Sequence, residues 1–106
     1  MDVQVHSILR ELRDRFQALY GDRLVKVVLY GSHARGDADP DSDIDVLVVL
    51  RGPVNAGEET ERTGDSVAEL SLRHSKVISC LFMDEERFLH RQGPLLRNIR
   101  KEGVSV

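Results

Sequence analysis

The chain has 106 residues and 12.0 kDa, enough for one domain and short of two, and its 41% hydrophobic and 31% charged residues give the balance of a soluble globular protein. Fifteen Lys and Arg against 18 Asp and Glu leave a formal charge of −3, so the basic stripe of a general nucleic-acid coat is missing and direct nucleic-acid binding is not expected. A single cysteine, Cys80, excludes an intrachain disulfide and a cysteine-based zinc cage, and no apolar run approaches the roughly 18 residues of a membrane span.

The N-terminal MDVQVHSILREL lacks the apolar core of a signal peptide, so a cytoplasmic protein without a membrane partner is expected. Residues 1–106 read as a single domain, with no repeat, low-complexity tract or long linker. Residues 3–19 predict an amphipathic helix: Val5, Ile8, Leu9, Leu12, Phe16 and Leu19 recur at spacings of three and four. Gly21 is its stop. Residues 25–30, VKVVLY, predict a strand. Residues 44–50, IDVLVVL, predict a second, apolar on both faces except for Asp45, as in the middle of a covered sheet. A helix is expected over 58–74, with Val67, Leu70 and Leu72 as its apolar content, and a third strand over 76–82, KVISCLF. Asp84 is a good N-cap for a short helix, EERFLHR. Pro94 opens a last helix, PLLRNIRK, with Leu95, Leu96 and Ile99 on one side, and Gly103 ends it. The order α-β-β-α-β-α-α predicts an α+β fold: a small mixed β-sheet with flanking helices.

The segment LYGSHARGDADPDSDIDVLVVL, residues 29–50, carries the chemistry. Gly31 has no Cβ, so a phosphate can approach its backbone. Ser32 offers a hydroxyl and a backbone N–H; if HARG begins a helical turn, its free N–H groups favour an anion. Arg35 can add a charge-assisted hydrogen bond to phosphate. Asp43 and Asp45 stand two apart in extended chain, so both project from one face and could hold Mg²⁺ through hard oxygen ligands. A triphosphate placed between the Gly-Ser turn and the Asp pair would suit in-line displacement at phosphorus.

Simpler readings compete. A Gly-Ser pair after a strand is most often only a turn, and an Asp-rich loop is most often solvated. A calcium loop starting at Asp37 fails, because its sixth position is Ser42 rather than Gly and its twelfth is Val48 rather than Glu. No Walker-type GxxxxGK[ST] occurs. Asp45 weighs against the simple readings: a carboxylate in an apolar strand costs stability unless a partner or ion satisfies it.

Gly31-Ser32, ten residues, then Asp43-Ile44-Asp45 resembles the signature of the DNA polymerase β-like nucleotidyltransferase superfamily, and the fuller string GSHARGDADPDSDIDVLV is similar to its minimal nucleotidyltransferase (MNT) subgroup. The resemblance implies that Gly31 and Ser32 bind nucleotide phosphates, with Arg35 as a structural or phosphate contact, and that Asp43 and Asp45 ligate Mg²⁺ and are catalytic. His33 occupies a variable position and is given no role. It further implies ATP as substrate and a partner chain, a HEPN-domain toxin that receives AMP on a tyrosine. One departure stands out. Active members commonly carry a third carboxylate on the next core strand, where this chain has Ser79. Asp84 and Glu85 lie past the expected strand end and out of reach.

Two functions therefore stand side by side. One is a Mg²⁺-dependent transferase of AMP to a hydroxyl, the antitoxin of a HEPN/MNT pair. The other is a catalytically weak or inactive nucleotide-binding antitoxin that acts by contact with its partner. No separate acceptor domain fits in 106 residues, so the acceptor site is expected to be shared with another chain, a partner or a second copy. Outside the motif, Cys80 reads as a small buried hydrophobe, Tyr30 as core packing, and His6, His74 and His90 as surface or helix-end residues.

Overall fold

The computed structural model describes residues 2–106. Helix α1 (Val3–Tyr20) is capped by Asp2, whose carboxylate accepts the N–H groups of Gln4 at 2.7 Å and Val5 at 3.3 Å. Its buried stripe is Val5, Ile8, Leu9, Leu12, Phe16 and Tyr20. Leu19, expected on that stripe, is half exposed; Tyr20 takes its place, one turn beyond Phe16, and both rings pack against Phe82 with centroids 6.0 and 6.5 Å away. A 3-10 turn, Gly21–Arg23, leads into strand β1 (Leu24–Tyr30).

The sheet has four strands in the order β3-β2-β1-β4, with β2 (Ile44–Leu50) antiparallel to β1 and parallel to β3 (Ile78–Asp84). This is the expected mixed sheet. Strand β2 is buried on both faces: Ile44, Val46, Val48 and Leu50 pack with α1 and Leu70, while Leu47 and Val49 pack with Leu96 and Ile99 of the last helix. A fourth strand, β4 (Val104–Ser105), pairs antiparallel with β1 beyond Gly103. Two residues are too short a run to show in a hydropathy pattern.

Helix α3 (Ala56–His74) begins two residues before the expected start because Asn55 caps it, accepting the Glu58 N–H at 3.1 Å. Its buried residues are Glu59, Thr63 and Leu70, with Val67 partly buried along the same stripe, whereas Leu72 is 82% exposed. The stripe opens on a carboxylate, so an apolar pattern misplaces it. Tyr20 Oη donates to Glu59 Oε1 at 2.6 Å and Arg62 lies 3.5 Å from the same oxygen. That pairing makes the burial of Glu59 tolerable.

The third strand runs over 78–84 rather than 76–82. Ser75 ends α3 in the left-handed region (φ 53°), and the N–H groups of Ser75 and Lys76 bond back to Leu72 and Ser71 carbonyls. Those bonds hold the chain on the helix end, so the ladder starts only after Val77. Helix α4 (Glu85–His90) is capped by Asp84, and α5 (Pro94–Glu102) buries Leu96 and Ile99 while Leu95 stays half exposed.

Candidate active site

Strand β1 delivers Tyr30 and then Gly31, whose φ of +75° turns the chain into a four-residue helix, α2 (Ser32–Arg35). The Ala34 and Arg35 N–H groups both reach the Gly31 carbonyl at 3.1 Å. The N–H groups of Ser32 and His33, in the first turn, have no acceptor within the helix. HARG thus does begin a helical turn.

Asp45 is paired with Tyr30 on one side and with Ser79 on the other. Directly paired residues share a sheet face, so the three form a row across β1, β2 and β3. Further along that face Leu47 and Val49 are covered by α5, but Ser79 is exposed and Asp45 half-buried. Gly31 closes the other side of Asp45. A Cβ built on it would overlap Asp45 Oδ2 and stand 3.3 Å from Cγ. Along β3, Ser79 and Leu81 look toward the Asp45 side, Ile78 and Cys80 toward the main core. Asp84 pairs with Leu50 at the far end of the ladder, five residues or roughly 16 Å from Ser79.

Asp43 is exposed and immediately precedes β2, where the Ile44 N–H bonds the Val77 carbonyl at 2.8 Å. Burial pushes the Asp45 carboxyl above the ordinary Asp range, and the charge of Asp43 adds to the effect; His33 and Arg35 work against it. Among the described residues no ion pair reaches Asp43 or Asp45. Arg35 does not seal Asp45: its guanidinium lies 3.2 Å from Asp37 and 3.5 Å from Glu102, tying α2 to the end of α5. Two unpaired carboxylates suit a hard divalent cation. No third His, Cys, Asp or Glu joins them among the described residues, so the set fits Mg²⁺ that takes its other ligands from phosphate and water rather than a closed protein cage.

Pattern reasoning passed over the residues that hold the 36–43 loop. His33 Nε2–H donates to the Ser42 carbonyl at 3.0 Å, and Lys76 Nζ donates to the Pro40 carbonyl at 2.6 Å. Neither contact has a signature in spacing. Cys80 packs against the main core, and burial pushes its thiol up to about 12, so it is no nucleophile.

A family model for the nucleotidyltransferase domain matches residues 9–105. The chain belongs to the nucleotidyltransferase domain family. This minimal nucleotidyltransferase is 32% identical over 96 residues to Putative protein adenylyltransferase MJ0604 of Methanocaldococcus jannaschii, covering 90% of each chain. It is 30% identical over 77 residues to Putative protein adenylyltransferase MJ0141 of the same organism, covering 73% of this chain and 77% of that one. Two solved structures share its fold. One is a toxin-antitoxin with AMP-PNP (TM-score 0.63, 17% identity, 95% of this chain and 70% of that chain). The other is a nucleotidyltransferase structure from Sulfolobus solfataricus (TM-score 0.62, 22% identity, 96% and 80%). No described helix of the minimal nucleotidyltransferase is long and apolar enough to cross a membrane.

Proposed function

We propose that this minimal nucleotidyltransferase moves AMP from ATP to a hydroxyl, in a Mg²⁺-dependent reaction, and that the acceptor is a tyrosine of a HEPN-type toxin partner for which it is the antitoxin. The observation that supports the reading is the Asp45 carboxylate packed against Gly31, at the start of the α2 turn, with Asp43 two residues before it in the chain. The curated adenylyltransferase relatives and the toxin-antitoxin neighbours support the donor and the setting.

In this reading Gly31 and Ser32 hold the triphosphate through the first turn of α2, and Asp43 and Asp45 hold the cation. Bound there, Mg²⁺ would neutralise charge on the phosphates and lower the pKa of an oxygen that it ligates. The acceptor oxygen attacks the α-phosphorus, the bond to the bridging oxygen of pyrophosphate breaks, and the hydroxyl proton leaves to water through the open side of the cleft. Ser79, which is no base at neutral pH, does not take it. Arg35 keeps α2 in place through Asp37 and Glu102.

Ser79 in the row beside Asp45 favours a second reading, a slow or inactive nucleotide-binding antitoxin that works by contact. Incubation with α-labelled ATP, Mg²⁺ and the co-encoded partner separates the two. Label on the partner, lost with Asp43→Asn and with partner Tyr→Phe variants, supports transfer. Nucleotide binding with partner neutralisation but no label supports the second reading.

A further inference from the structure

We propose that His33 is a positioning residue that locks Asp43 to the phosphate turn. The inference rests on the metal-phosphate reading above and assigns a residue outside the motif's fixed positions. His33 is the second residue of α2, directly after Ser32. Its Nε2–H donates to the carbonyl of Ser42, the residue before Asp43, at 3.0 Å. A carbonyl can only accept, so the contact requires a proton on Nε2.

Two side chains reach the loop, Lys76 at Pro40 and His33 at Ser42, and of the two His33 is the one next to Asp43. Asp39 and Ser42 close on each other: the Ser42 N–H donates to the Asp39 carbonyl at 3.0 Å, and the Asp39 N–H donates to Ser42 Oγ at 2.9 Å. The turn from 39 to 42 therefore moves as a unit. On the far side of Asp43, the Ile44 N–H is bonded to Val77 in the sheet. Asp43 thus sits between one neighbour fixed by the sheet and one fixed by His33. Without the imidazole donor, the unit from 39 to 42 is free to pivot on Ile44 and Lys76 and to carry Asp43 with it relative to Asp45. Groups one step behind a metal ligand typically change metal affinity 10–100-fold when lost.

The test uses the full chain, Mn²⁺ as an EPR-visible probe, and α,β-methylene-ATP. His33→Leu should weaken Mn²⁺-nucleotide binding about tenfold or more. In the same variant the amides of residues 37–43 should exchange faster while the remaining amides and the Tm hold. His33→Gln, whose side-chain amide can donate where Nε2–H does, should restore binding to within about threefold. Nitrogen-15 NMR of the ligand-free wild type should show His33 protonated at Nε2. Unchanged binding and loop exchange in His33→Leu overturns the proposal, as does a Gln variant no better than Leu, which would mark His33 as packing only. If wild type and Asp43→Asn bind the probe alike, the metal reading fails, and the ligand-free loop exchange and NMR still decide whether His33 restrains the loop.

Discussion

Gly31 lies against the carboxylate of Asp45 with no room for a side chain: a Cβ at Gly31 would overlap Asp45 Oδ2. The Gly31-Ser32 turn and strand β2 are therefore one packed unit. The absence of a Cβ serves two needs there, a φ of +75° and the close approach. Gly31→Ala should lower stability by about 1–3 kcal/mol through backbone strain and overlap, and displace Asp45 so that Mg²⁺-nucleotide binding is lost. Gly36→Ala is the control. It has the same positive φ (+84°) but open space, so it should cost about 1–2 kcal/mol from strain alone and keep binding. Urea unfolding with nucleotide titration reads both.

Asp45→Asn should separate stability from function. Burial and the Asp43 charge raise the folded-state pKa of Asp45 above its ordinary value. A carboxyl raised in this way favours the folded state below its unfolded pKa, near 3.8, and loses that contribution as pH rises through the higher folded value. The ligand-free Asn variant should therefore have a higher Tm than wild type at neutral pH and no difference below the unfolded pKa. AMP transfer should fall by about 10²-fold or more, since a charge poised for the transition state is gone. Thermal melts from pH 3 to 8, beside a transfer assay, check both arms.

Ser79→Asp would place a third carboxylate in the row beside Asp45. Without metal the added repulsion should lower the Tm. With metal, affinity should rise by about tenfold, and AMP transfer should quicken if an acceptor is present. If affinity and rate both stay at wild-type values while wild type transfers briskly, Ser79 is not the vacant third position.

Tyr20→Phe tests how α3 is held. Glu59 is only 3% exposed, and Tyr20 is its hydrogen-bond partner at 2.6 Å. Burial, and then the bond to Glu59, push the Tyr20 hydroxyl above its ordinary pKa, so at working pH it is a neutral donor to the carboxylate. Removing that donor should cost about 1–3 kcal/mol, because a buried carboxylate then keeps only Arg62. Adding Glu59→Leu to Tyr20→Phe should recover part of the loss, since removing both partners of a buried polar pair is cheaper than removing one. Urea midpoints of the two variants and wild type measure it.

The elements that could be read from sequence were those whose burial is apolar and periodic. α1, β1 and β2 show it most plainly, and Asp45 was conspicuous because it breaks an apolar strand. The Gly31 turn was legible too, since a positive φ and a close approach restrict the residue type there. Two of the misplacements share one cause, a polar or backbone contact that overrode the local pattern. The stripe of α3 opens on Glu59 because Tyr20 reaches it from 39 residues away. The start of β3 waits for hydrogen bonds at the end of α3.

The sequence by itself determined an α+β fold and a minimal nucleotidyltransferase motif. Only the tertiary structure decided how the motif's residues meet. Register puts Asp45 between Tyr30 and Ser79, and van der Waals contact sets Gly31 against Asp45. Hydrogen bonds from His33 and Lys76 fix the loop before Asp43, and ion pairs turn Arg35 toward Asp37 and Glu102 rather than toward Asp45. Apart from Arg35–Asp37, these contacts join residues nine or more positions apart in the chain. Local propensity and hydropathy report on neighbours in sequence, and such contacts form only when the strands pair and the helices pack on them.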